Sequence, residues 1–216
     1  VLDHLSAIGV ALVIAVAPFV LVLTTCFTRI SIVLTFLKQA LSASVPSAHV
    51  IVALSLILTG YIMHPVFLQI HHQAVQPYMN GELEQEPPAK QVSTVLTHAW
   101  PPLRQFMLYH TREKDLQLFL DMSHLSPPEG EWQVETLPWY CVIPAFVLSE
   151  LRTAFVMGFL LFLPFFVIDM VVASLLMSMG MILLPPVMIS FPFKLLLFIA
   201  IDGWRFMMQH MVQGYS

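Results

Sequence analysis

Seven ionisable side chains lie inside long apolar stretches of the sequence: Arg29, Glu150, Arg152, Asp169, Lys194, Asp202 and Arg205. A charge facing hydrocarbon costs about 2.5–3.5 kcal/mol on insertion scales, so each of these needs a partner, a wet cavity or a task. Two kinds of chemistry fit. Carboxylates at Asp169 or Asp202 could hold a coupling ion or relay a proton. Alternatively, acids and bases could neutralise one another across helices or subunits and fix packing and register. The set mixes four bases with three acids, which suits such pairing. If residues 187–211 form one helix, Lys194 and Arg205 sit roughly 20° apart around it and Asp202 roughly 80° from Lys194. Asp202 and Arg205 would then be placed to pair at i, i+3.

Other chemistries find less support. The chain has nine histidines, among them His71, His72, His98, His110 and His124, but no HExxH or CxxC spacing, so no metal site is expected. It lacks a GxSxG elbow and a GxxxxGK[ST] loop, so neither hydrolase nor ATPase activity is expected, and no cofactor is implied. A net charge of −4 gives no basic footprint for nucleic acid. Cys26 and Cys141 adjoin different apolar segments and are expected to stay unpaired.

A second kind of feature is Gly180-Met181-Ile182-Leu183-Leu184-Pro185-Pro186. Glycine at one end and two prolines at the other mark a helix break. A break exposed to water should be polar, yet its middle is apolar. It must pack in a core, insert into lipid, or line a constriction. Repeated around a ring, such a loop would form a hydrophobic gasket closing a pore, and a flexible methionine suits a seal that deforms.

The elements that must position these residues follow from composition. Of 216 residues 58% are hydrophobic and 10% charged, where soluble domains run near 25% charged. Such apolar surface needs membrane, a large oligomer, or both. Between Glu82 and Glu135 lie nine acidic and four basic residues, while the remainder holds four acids and five bases. The expected organisation is therefore three segments: N-terminal hydrophobic helices over 1–70, a polar module over 71–137, and a C-terminal hydrophobic hairpin over 138–216. The fold class expected is all-α, a polytopic membrane-type protein with kinked helices and a small helical insertion.

Apolar runs predict helices over 5–27, 28–41 and 49–70. Within the module, residues 89–100 read as a helix ended by Pro101-Pro102. Leu103, Phe106 and Met107 then recur at helical spacing with His110, which predicts an amphipathic helix that contacts an oligomeric partner. Residues 81–88 and 126–130 read as loops. Helices over 140–179, with kinks at Pro144 and Pro164, and over 187–211 complete the chain. Arg29 and Lys38 form the only basic connector between apolar runs. The positive-inside rule places them in the cytoplasm and the acidic module outside, in a periplasm.

Several motifs in series carry a family likeness: Phe27-Thr28-Arg29-Ile30, Pro102-Leu103-Arg104-Gln105-Phe106-Met107, Ser149-Glu150-Leu151-Arg152-Thr153-Ala154-Phe155, Leu163-Pro164-Phe165 to Ile168-Asp169, Gly180-Met181, Pro185-Pro186, and Phe191-Pro192-Phe193-Lys194 through Asp202-Gly203-Trp204. In this order they resemble the FliP/SctR family, which forms the export gate of bacterial type III secretion systems. Thr153-Ala154-Phe155 and the stretch Thr111–Leu116 resemble the flagellar branch more than the injectisome branch.

The resemblance implies a homopentamer assembled with FliQ-like and FliR-like subunits, working with FlhA-like and FlhB-like proteins. It implies a bacterial inner-membrane location at the flagellar basal body, passage of unfolded flagellar substrates, and a complex standing largely above the bilayer plane. The family's gasket of methionines falls on Met181, Ile182 and Leu183, so the apolar constriction carries over and an all-methionine one does not. The family's charged pair falls on Glu150 and Lys194. The rival readings are a secondary transporter or ion channel using the intramembrane carboxylates, or an intramembrane enzyme.

Overall fold

A computed structural model describes residues 11, 15, 18–42, 46–80, 88–124, 133, 134, 136–181 and 183–215. Among these the regular structure is entirely helical. About half of the apolar run over 5–27, the loop over 81–87 and the loop over 126–130 lie outside the described residues. In order the helices are α1 (Pro18–Thr24), then α2 (Phe27–Ala40), α3 (Ala48–Ile70), α4 (Gln76–Met79), α5 (Pro88–His110), α6 (Glu113–Met122), α7 (Trp139–Ser178), α8 (Pro186–Ala200) and α9 (Gly203–Gln213). Two stretches, Ala48–Val75 and Trp139–Ser178, are long and apolar enough to cross a membrane. The count rises to four if α1 with α2 and α8 with α9 each form one bent span.

Three expectations change. Helix α5 runs straight through Pro101-Pro102 instead of breaking there. A proline removes an N–H and frees the carbonyl four residues earlier. Here those are Thr97 and His98, both on the exposed side, where their oxygens can find other donors. Helix α3 does not stop at residue 70. It continues through a π-helical turn, His71–Val75, into α4, with Ala74 of that turn buried, so the polar module begins inside a helix.

The third change is at the C-terminus. The last helix is two helices, α8 and α9, set 62° apart. Asp202 between them is left-handed (φ 51°), outside any helical register. A Cβ at Gly203 would lie 2.3 Å from the Phe198 ring, so only glycine lets α9 start this close to α8. Lys194 and Arg205 therefore do not share the edge of one helix.

The chain forms two compact units, Val1–Thr28 with Thr59–Glu150, and Arg29–Leu58 with Leu151–Ser216. Helices α3 and α7 contribute to both, so packing cuts across the polar and apolar segments read from the sequence. The first unit has a core of Met107, Leu120, Leu137, Cys141, Val142 and Phe146, which joins α5, α6 and the start of α7. Cys26 and Cys141 are both buried, and neither is in a disulfide among the described residues.

In the second unit α2 buries Ile30, Val33, Leu34 and Leu37 at helical spacing. It meets α7 so closely that a Cβ at Gly158 would lie 2.5 Å from the Phe36 ring, and Phe36 packs edge-on against Phe155 with centroids 5.5 Å apart.

Candidate functional site

The hairpin of α7 and α8 carries the site, at two levels. Its tip is built by backbone geometry. At the end of α7 the Gly180 N–H donates to the Met177 carbonyl (3.0 Å) and the Met181 N–H to the Leu176 carbonyl (2.9 Å). With Gly180 at φ 75°, this is a Schellman closure, which favours glycine at its left-handed position. On the other side Pro185 is extended at the N-cap and Pro186 takes the first helical position, where a missing N–H costs nothing.

Both ends of the turn are thus fixed, and its apolar side chains are pushed outward. Leu183 is 97% exposed and Met181 42%. Ile182 lies outside the described residues. Behind the tip the two arms enclose an apolar crevice of about 480 Å³ lined by Val172, Leu176, Met179, Ile189 and Phe193 among others.

Further along the arms lies a buried polar cluster. Lys194 is 1% exposed, and its Nζ donates to Asp169 Oδ2 (2.6 Å) and to Ser42 Oγ (2.9 Å). Ser190, one turn before Lys194 on α8, donates its hydroxyl to the other Asp169 oxygen. Each oxygen of the Asp169 carboxylate therefore holds a donor, and the ammonium has an ionic and a neutral acceptor. An ion pair this enclosed offsets its desolvation only when such hydrogen bonds are in place. Of the charges singled out in the sequence, Asp169 and Lys194 are the ones brought together here. Ser42 and Ser190 were missed, although the i, i+4 spacing of Ser190 and Lys194 was a usable signal.

The other charges are placed differently. Arg29 and Glu150 are buried, at 4% and 0% exposure, while Arg152, Asp202 and Arg205 are exposed. Asp202 and Arg205 make no ion pair with each other among the described residues, because Asp202 stands outside α9. Leu103, Phe106 and Met107 face the core of the first unit, with Met107 fully enclosed. What α5 and α6 leave exposed is Leu96, Tyr109, Leu118 and Met122.

The first unit also holds a polar link that the sequence did not announce. Ser149 Oγ accepts from the backbone N–H of Arg112, the N-cap of α6 (3.0 Å), and donates to buried Asp115 in the first turn of that helix (2.6 Å). One hydroxyl from α7 thus caps α6 from outside, beside an aspartate well placed for the helix dipole. Among the described residues no three metal-ligating side chains converge.

Long apolar helices, a lysine paired with an aspartate between two of them and an apolar turn left exposed define a polytopic membrane-type helical protein. The sequence model of the FliP family matches residues 10–211. The chain is 45% identical to the flagellar biosynthetic protein FliP of Bacillus subtilis over 94% of its length and 88% of the relative's. It is 40% identical to that of Aquifex aeolicus (94% and 82%) and 43% identical to that of Treponema pallidum (94% and 72%). The chain belongs to the FliP family.

Proposed function

We propose that this chain is a subunit of the flagellar protein export gate, acting without catalysis as part of an oligomeric ring through which unfolded flagellar substrates pass. The observation that carries this reading is the α7–α8 tip: a turn fixed at both ends that holds Leu183 almost wholly exposed, with Met181 beside it. An apolar side chain so placed loses free energy in water and gains it against its symmetry mates. Several copies meeting on an axis through residues 181–183 would form a dewetted constriction.

The proposal extends, on what the resemblance implies, to a pentamer with FliQ-like and FliR-like subunits, FlhA-like and FlhB-like neighbours, the inner membrane of a flagellated bacterium, and a polar module on the periplasmic side. Contact between subunits through α5 and α6 would use Tyr109, Leu118 and Met122, since Met107 is spent on the chain's own core. An ion site at Asp169 is disfavoured because Lys194 and Ser190 already occupy its carboxylate.

Two measurements test the proposal. The mass of the detergent-purified particle, expressed with its partner subunits, should correspond to a ring; a monomer or dimer that transports ions would contradict it. Glu150→Gln tests whether the Glu150 charge that the resemblance implicates is needed for assembly, and leaves the Lys194–Asp169 pair within the protomer untouched. Loss of the ring with the protomer still folded supports that role; a ring that assembles as in wild type removes it from the account.

A further inference from the structure

We infer that Arg29 is a positioning residue that latches the C-terminal helix α9 to the start of α2. Four observations within the second unit converge on it. The guanidinium is buried, with the residue only 4% exposed. Its Nη1 donates to the Gly214 carbonyl (3.2 Å), and its Cζ stands 3.9 Å from the centre of the Tyr215 ring. A Cβ at Gly214 would come within 3.2 Å of the same Nη1, so that position is kept bare where the guanidinium approaches. Gly214 is also the C-cap of α9.

The electrostatics favour this placement. Arg29 lies in the first turn of α2, where helix N–H groups disfavour a cation, whereas carbonyls at the C-terminal end of a helix attract one. An aromatic face adds attraction that grows as water is excluded. The contact holds the end of α9 far from α8, whereas the left-handed Asp202, the bend at Gly203 and the Phe198–Trp204 ring contact tie its start. Between these two attachments α9 roofs an apolar cavity of about 380 Å³ whose walls include Val33, Met157, Leu161, Phe165, Met207 and Met211. Val33, one turn from Arg29 along α2, is among the residues lining that cavity. Hinge, roof and latch make α9 a strap held shut at its far end. The inference stands independently of the export-gate proposal.

Hydrogen–deuterium exchange on the full chain in detergent tests it. Tyr215→Leu should speed exchange of the α9 amides by about tenfold, as expected for loss of a desolvated cation–π contact. Tyr215→Phe, which keeps the ring face, should leave them at the wild-type rate, and Gly214→Ala should act in the same direction as Tyr215→Leu. Amides of α5 and α6 should not change in any of these variants. The latch is overturned if Tyr215→Leu leaves α9 unaltered, if the Phe and Leu variants behave alike, or if the loss spreads to α5 and α6.

Discussion

The two levels of the α7–α8 hairpin invert the usual arrangement of a water-soluble protein. Along the arms a lysine is enclosed against a half-buried aspartate, while at the tip a leucine is bare. The buried pair is expensive to assemble and contributes specificity, since only one juxtaposition of α7, α8 and the end of α2 satisfies Lys194, Asp169, Ser190 and Ser42 together. The tip contributes nothing to the stability of one copy, because Leu183 touches almost none of it. One level serves the protomer, and on the proposal above the other serves the assembly it joins.

Substitutions should separate the two levels by size of effect. Asp169→Leu leaves the Lys194 ammonium buried without its counter-charge, and should destabilise the chain by about 3–5 kcal/mol in denaturant unfolding followed by circular dichroism. Asp169→Leu with Lys194→Met should recover most of that loss. A double variant as unstable as the single would show that the cluster does not act as a pair.

Next in size are two positions where local geometry leaves no slack. Gly203→Ala drives a methyl into the Phe198 ring, which is hemmed in by Phe165 and Trp204, and should cost about 1–3 kcal/mol. Ser149→Ala removes both the external cap of α6 and the donor to Asp115, and should cost about 1–3 kcal/mol. Hydrogen exchange should locate the first loss in α8 and α9 and the second in α6. Gly180→Ala meets no atom, so its cost is conformational only, about 1–2 kcal/mol for a side chain in the left-handed region. A smaller penalty for Gly180→Asn in the same unfolding assay would confirm that origin.

The comparison also explains what the sequence could and could not convey. The tip was legible because glycine and consecutive prolines act through the local backbone, and the structure places the break between Ser178 and Pro186. The all-helical class was legible for a similar reason, from the apolar runs and their periodicity. Partners across helices were not. Helical spacing says which residues share a face, but not which helix that face will meet, so Asp169 and Lys194 were marked as charges without being assigned to each other.

The spacing of Asp202 and Arg205 misled because one left-handed residue removed Asp202 from the helix. Pro101-Pro102 misled in the opposite sense, since proline weakens a helix only by what its freed carbonyls and ring cost, and on the exposed side of α5 that cost is tolerated. Leu103, Phe106 and Met107 were recognised as one apolar face, but amphipathicity alone does not tell a chain's own core from a neighbour's.

The smallest expected change in protomer stability belongs to the residues with the largest proposed role. Replacing the exposed Met181 and Leu183 by serine should alter unfolding by no more than about 0.5 kcal/mol, and the triple replacement adds Ile182 to them. The direct test of the central claim is ion conductance through the assembled particle, reconstituted in planar bilayers, with and without that triple replacement. The wild-type assembly should be closed and the serine variant, assembled to the same mass, should conduct. A serine variant that assembles normally and stays as tight as wild type would contradict the account.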